Sequence, residues 1–440
     1  MLKFQSQLPT LNRDDKYPLL GIIGALALIY AAPFITMLLV YPALLICIYR
    51  VVRYDEKVFA TDYCILIAVS LLFCTSSGMS LLVYLCLFAD VWYFIRRGIR
   101  AEAAVVGLLL LLNYMIWRMQ FNISSVALCF GQLFLLYVLI PQQDSRSAER
   151  AAKAFCGSLL LSSAYALVFR ETGAIVALRG PEVPAYWGSS LMRFYGLFQD
   201  PNYYAMLLIM ALTLMIKLKD SKKIGWPMFI IGSLLLTACG ILTYSKTFFL
   251  MLVLLVAVFL VWQFWNKKVI RGILLTICLL TVGGILLFSE GSPFSVVLTR
   301  LTSSTNLDEL TTGRSELFAS YFRAITEDLG SALIGKGLAA GNLGQDPHNL
   351  FLEITYYMGL VGLVLMVGYY SFLVRAVAIK VKAMRTQTFI ATYVTLMIAA
   401  ILHVTLHGMT ALVSYATFLV ASMAMLIGCD SEEDLPCQSC

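Results

Sequence analysis

Between Leu19 and Ile427 the chain alternates long apolar runs with short polar breaks. Many of the runs reach the roughly eighteen residues that a spanning helix needs. Hydrophobicity within them is continuous and does not alternate from residue to residue, which excludes a membrane β-barrel. Length and breaks give fourteen candidate spans: 18–31, 33–50, 59–75, 78–95, 103–117, 123–140, 153–170, 202–217, 226–243, 247–265, 270–288, 349–374, 388–406 and 409–427. The expected fold is an all-α polytopic membrane protein, a bundle of about 14 transmembrane helices (12–14), because the first two spans are short and separated only by Ala31, Ala32 and Pro33. The pattern divides the chain into a tail (1–17), a bundle of about eleven spans (18–288), a large polar loop (289–348), three final spans (349–427) and a second tail (428–440). The first seventeen residues are polar and mixed in charge, and the run after them is too long for a signal-peptide core, so the first span is expected to be retained.

Composition agrees: hydrophobic residues make up 60% and charged residues 13%, against roughly 25% charged in soluble domains. The net charge of +7 is scattered over short loops, which reads as a topology signal and argues against a nucleic-acid partner. Alternating the loops from a cytoplasmic N-terminus collects most basic residues on one side, from Lys3, Arg13 and Lys16 through Lys217, Lys219, Lys222 and Lys223 to Arg375, Lys380, Lys382 and Arg385. Both termini are then cytoplasmic. Arg118, Arg170, Arg179, Arg193, Lys246, Arg300, Arg314, Arg323 and Lys336 fall on the outer side. That outer set fits an anionic substrate, although long external loops also tolerate charge. Most of the eleven cysteines lie in apolar runs as small hydrophobes, so no structural disulfide is expected. Cys437 and Cys440 have CxxC spacing without the further ligands or the βαβ context that zinc or redox chemistry needs.

Polar segments facing outward hold the candidate chemistry. Asp346-Pro-His348-Asn349 leads from the large loop into an apolar run. A neutral imidazole there could take a proton near pH 7, and the neighbouring amide could orient a hydroxyl or phosphate oxygen. Equally, proline and asparagine could simply start a helix. Glu353, five residues later, is an ionisable group entering the membrane. In the loop, a helix is expected from near Thr312 to near Gly330, with a stripe of Leu317, Phe318, Tyr321, Phe322 and Ile325, lying on the membrane or closing over the bundle. Arg314 in its first turn makes an anion site, unless Glu316 pairs with it. A flexible glycine-rich approach follows, with Gly335, Gly337, Gly341 and Gly344. Arg193-Phe-Tyr-Gly196 runs into a turn at Asp200-Pro201-Asn202, and Thr243-Tyr-Ser245-Lys246-Thr247 makes an outer turn. Lys246 could snorkel to the interface or reach a diphosphate head group. His403 and His407 share a helix face but lack a third ligand, which favours packing.

These segments resemble the O-antigen ligase and O-antigen polymerase family of bacterial envelope glycosyltransferases, over roughly residues 190–375. The resemblance rests on His348-Asn349 followed by Gly359-Leu-Val-Gly362, on Arg193-Phe-Tyr-Gly196 with Pro201-Asn202, on Ser245-Lys246 where many relatives have Ser-Arg, and on Thr312-Gly313-Arg314-Ser315. It implies a GT-C-like membrane enzyme that moves glycan from an undecaprenyl-diphosphate carrier to a sugar hydroxyl, inverting, without nucleotide sugar, metal or other cofactor. Arg193 and Arg314 would be catalytic cations beside His348 as base. Lys246, Asn349, Asn202, Asp200 and Glu353 would bind diphosphate or sugar. Lysine at 246 keeps the charge but not the arginine fork. Partners would be the lipid-linked oligosaccharide, the growing glycan acceptor, the bilayer, and a chain-length regulator or flippase. Polymerisation of repeat units into a surface polysaccharide on the outer face of the cytoplasmic membrane is the leading expectation, with ligation to a distinct acceptor as the alternative. A lipid-linked oligosaccharide flippase is the third reading; it would want charges along its spans, where Asp90 stands alone, and internal repeats.

Overall fold

A computed structural model describes residues 145–170, 181–185, 191–196, 198, 200–265, 314–337, 340, 343–344, 347 and 349–380, with a few isolated positions elsewhere. Spans expected before 145, at 270–288 and after 388 lie outside the described residues, as do Asp90, His348, His403, His407 and the terminal cysteines. The described residues are helical and contain no strand, only an isolated antiparallel bridge between Pro184 and Met192. Seven helices follow in order: α1 Ser145–Val168, α2 Pro201–Asp220, α3 Trp226–Leu242, α4 Lys246–Trp265, α5 Arg314–Ile325, α6 Leu329–Ile334 and α7 Leu350–Lys380. By length and composition, Ala148–Val168 and Pro201–Asp220 are long and apolar enough to cross a membrane; Trp226–Leu242, Phe248–Ala257 and Phe351–Leu365 are shorter apolar stretches.

α2 is the axis of the first group, with α1, α3 and α4 packed on it. It starts where Asp200 in extended conformation precedes Pro201, and the carboxylate accepts from the N–H of Asn202 (2.7 Å) and Tyr203 (3.1 Å). Such a cap contributes about 1 kcal/mol. Every residue from Tyr204 to Met215 is buried, as a helix apolar on all sides requires. Small residues set the approaches. A methyl on Gly232 would lie 2.5 Å from Met215 Cε of α2 and 3.2 Å from Leu160 Cδ1 of α1, and one on Gly240 would lie 1.9 Å from the Phe248 ring of α4.

The outside of this group is apolar and its inside carries hydroxyls. Trp226, Met228, Ile230, Ile231 and Leu234 of α3 and Leu250, Val253, Val261 and Phe264 of α4 are exposed, while Ser158, Ser162, Ser163, Thr213, Thr243 and Ser245 are buried. The hydroxyls of Ser162, Ser163, Thr213, Thr243 and Ser245 bond within the protein, for example Thr213 Oγ1 to Ile209 O at 2.9 Å and Tyr204 OH to Ser163 Oγ at 2.7 Å. Internal satisfaction of polar groups beneath an apolar surface is what lipid demands of a chain.

In the second group, α5 and α6 pack on α7. The single loop helix expected from 312 to 330 is two helices. It stops at Ile325, and Asp328 caps α6 by accepting from Ser331 N (2.8 Å) and Ser331 Oγ (2.6 Å). Tyr321 is fully buried, its ring 4.8 Å from that of Tyr356, so α5 closes over α7. α7 is broken at Gly359 (φ 67°, ψ −171°). Just before the break, Tyr356 O accepts from Lys336 N (2.8 Å) and Tyr357 O from Gly337 N (3.0 Å). The Gly335–Gly337 stretch expected to be a flexible approach is therefore docked.

Candidate functional site

Contacts fix the direction of the first group. Ser163 near the end of α1 meets Tyr204 at the start of α2, while Lys223, just past α2, lies 3.3 Å from Glu149 at the start of α1. α3 returns antiparallel to α2, so one end gathers the start of α2, the end of α3 and the start of α4. The other end holds Lys153, 2.5 Å from Glu149, and Lys219, whose Nζ lies 4.1 Å from the Trp226 ring centroid.

The first end is built around Arg193. Its Nε donates to Thr243 O (2.8 Å) and its Nη2 to Asn202 Oδ1 (2.9 Å), and the same Oδ1 accepts from Ser245 Oγ (2.8 Å). Phe194 N donates to Leu242 O at 2.9 Å, pinning the loop to the end of α3. The α3–α4 turn is tight: Thr243 Oγ1 donates to Gly240 O (2.6 Å) and accepts from Ser245 N (3.2 Å), while Tyr244 is buried with φ 48°. Positive φ on tyrosine is uncommon and marks a backbone held by its surroundings. Arg193, Asn202 and Ser245, distant in sequence, thus form one polar knot. Both of these acceptors of Arg193 are neutral oxygens.

Other expected residues fall as follows. Asp200 caps α2. Lys246 is the first residue of α4, half-buried beside the knot. Gly196 (φ 61°) is required where it stands, since a methyl would meet the Tyr204 ring at 2.8 Å. Arg314 opens α5. Asn349 precedes α7, and its Oδ1 accepts from Leu352 N at 3.1 Å, so its oxygen serves as the helix cap. Glu353 follows in the first turn, fully buried, its N–H on Asn349 O at 2.9 Å. Gly359 and Gly362 are glycines for packing reasons. A methyl on Gly359 would lie 2.3 Å from the Leu333 backbone, and one on Gly362 would lie 2.0 Å from Met358 Cβ.

Some of the site was not foreseen. The Thr243 carbonyl as anchor and the left-handed Tyr244 leave no trace in residue type, and the Arg170–Glu182 pair (Nη2 to Oε2, 2.7 Å) joins residues twelve apart in sequence. Outside the apolar helices, Lys336 lies 2.5 Å from Glu327 and 3.6 Å from Asp328. Glu327 raises the lysine's pKa, and hydrogen bonds from Ser331 lower that of Asp328. Among the described residues no group of three or more His, Cys, Asp or Glu could hold a metal ion, and Cys156 and Cys239 are buried thiols. The chain matches no protein-family model, no curated protein and no solved structure.

Proposed function

We propose that the chain is a polytopic membrane glycosyltransferase that polymerises undecaprenyl-diphosphate-linked oligosaccharide units on the outer face of the bacterial cytoplasmic membrane. The observation that carries the reading is the knot at Arg193, where two of the four pieces of the O-antigen polymerase and ligase pattern, Arg193–Gly196 with Pro201-Asn202 and Ser245-Lys246, meet in hydrogen bonds. It lies at the end of the helix group opposite Lys153, Lys219 and Lys223, and the positive-inside rule puts that lysine-rich end in the cytoplasm.

In the reaction, an acceptor hydroxyl attacks the anomeric carbon of the donor from the face opposite the diphosphate. The bond between that carbon and the phosphate oxygen breaks, the new glycosidic bond forms with inversion, and His348 takes the hydroxyl proton. Arg193, Arg314 and Lys246 stabilise the departing diphosphate. The Asn349 cap fixes the first turn of α7 next to His348, and Glu353 lies within that turn.

The test uses the full chain in detergent with the lipid-linked repeat unit extracted from the source organism, product length being read on a gel. A ladder of multiples is expected, lost in Arg193→Ala, Arg314→Ala and His348→Ala. Ladders at the parental rate in those variants refute the mechanism. Product only with a distinct acceptor identifies a ligase, and movement of labelled lipid between leaflets without transfer identifies a transporter.

A further inference from the structure

We infer that Arg170 and Glu182 form a clasp that positions Arg193, an assignment that rests on the reading of Arg193 as the group meeting the donor diphosphate. Arg170 stands just past α1. Its Nε lies 2.9 and 3.1 Å from the two Glu182 carboxylate oxygens, its Nη2 lies 2.7 Å from Oε2, and the same Nη2 donates to Met192 O at 3.0 Å. Its Cζ lies 5.5 Å from the Phe194 ring centroid. One guanidinium thereby holds the residue before Val183 and the residue before Arg193.

Those two residues are themselves joined. Arg193 N donates to Val183 O (2.8 Å) and Ala185 N to Leu191 O (2.7 Å), which makes Pro184 and Met192 the non-hydrogen-bonded pair of a short antiparallel contact. Proline is tolerated at that place because its nitrogen faces away from the partner. Tyr195 OH closes the far side by donating to Pro181 O. The clasp lies at the base of this contact, with Glu182 10% exposed and Arg170 28%. From there the chain delivers Arg193 to Thr243 and Asn202. Glu182 compensates the charge of Arg170, so this arginine serves to fix the loop, and Arg193 is the one read here as facing the anion. A lysine at 170 cannot reproduce this, since it has one point charge where the fork grips two oxygens and a carbonyl.

Two readouts on the full chain in lipid nanodiscs test the clasp. In the first, Pro184→Cys with Met192→Cys places thiols at the close pair of the antiparallel contact, and mild oxidation is followed by mass spectrometry of the peptide between Arg179 and Arg193. Glu182→Gln and Arg170→Lys are expected to slow cross-linking about tenfold, the loss that goes with a charge-assisted hydrogen bond. The exchange Arg170→Glu with Glu182→Arg should restore part of the rate, which an unfolded chain would not do. In the second, without the cysteine pair, the same substitutions should lower kcat for glycan transfer about tenfold with a smaller change in KM for the lipid-linked donor. Unchanged cross-linking in both variants overturns the clasp, and slowed cross-linking with unchanged kcat overturns its positioning role. If Arg193→Ala transfers glycan at the parental rate, the donor reading fails instead, and the cross-linking readout still decides the clasp.

Discussion

Alanine at Gly359 adds one methyl group, and two separate costs follow from where it would sit. The backbone there has φ 67° and ψ −171°, a region held almost only by glycine, and an L residue forced into it costs about 1–3 kcal/mol. The methyl would also lie 2.3 Å from the Leu333 carbonyl carbon and oxygen and 2.4 Å from Ile334 N. These are backbone atoms of α6 that cannot rotate aside, so α6 must lift from α7 at about 1–3 kcal/mol more. Together the change costs about 2–6 kcal/mol. Two glycines of the same region separate the contributions. Gly337 has φ 73° with nothing within 4 Å of a built methyl, so Gly337→Ala carries only a backbone cost of about 1–2 kcal/mol. Gly368 is helical and open, so Gly368→Ala should gain up to about 1 kcal/mol. The assay is the temperature at which half the chain stays monodisperse in detergent after heating, an operational stability. The expected order is Gly359→Ala below Gly337→Ala, below the parent, with Gly368→Ala at or above it. Amide exchange at Lys336 and Gly337 should quicken in Gly359→Ala alone, because their bonds to Tyr356 O and Tyr357 O depend on the docking. A Gly359→Ala chain that melts with Gly337→Ala would refute the packing argument.

Asn202→Leu removes the oxygen shared by Arg193 and Ser245 and should cost about 1–3 kcal/mol, whereas Asn202→Asp keeps an acceptor but neutralises Arg193; thermal stability retained with glycan transfer lost in Asn202→Asp is the expected split, and equal transfer in parent and Asn202→Asp counts against a charge role. Arg193→Lys should keep part of the transfer that Arg193→Gln loses, and a glutamine variant as active as the lysine would contradict the same point. The Asp328 carboxyl is held below its ordinary value by Ser331, so its stabilisation of α6 is complete above the unfolded carboxyl value of about 3.9 and is lost as pH falls through the lower folded value; protection of the α6 amides should drop in acid in the parent and not in Asp328→Ala, where protection is low throughout. Gly240→Ala pushes a methyl into the Phe248 ring, at about 1–3 kcal/mol, and Phe248→Leu in the same chain should recover most of the lost melting temperature.

Much of the first helix group was legible in the sequence because length and punctuation both point the same way. Asp200-Pro201 marks a helix start by chemistry that acts within a few residues, and the ends observed for α2, α3 and α4 fall within a few residues of those read from hydropathy. The end of the loop helix differs from the expectation because Gly330 looks like its stop, while Asp328 already interrupts it by capping a new helix, a local competition that periodicity does not register. Gly359 was read as part of a motif, but its left-handed backbone depends on contact with Leu333, some twenty-five residues earlier, and no local rule reports that.

A common constraint connects the polar knot and the broken helix. Helix ends and breaks release carbonyls, and in apolar surroundings each released carbonyl needs a donor from elsewhere in the chain. At the end of α3, Leu242 O is taken by Phe194 N and Thr243 O by the Arg193 side chain. At the break in α7, Tyr356 O and Tyr357 O are taken by Lys336 N and Gly337 N. In both places a polar loop is drawn onto the ends of apolar helices and carries a basic residue with it. At α7 that residue contributes only its backbone, and its ammonium is matched by Glu327 and Asp328. At α3 the guanidinium itself makes the bond, to neutral acceptors, so the requirement that completes the helix end also holds a positive charge in a fixed place. The two loops therefore complete helix ends by different means, one in part through a side chain and the other through backbone N–H groups alone.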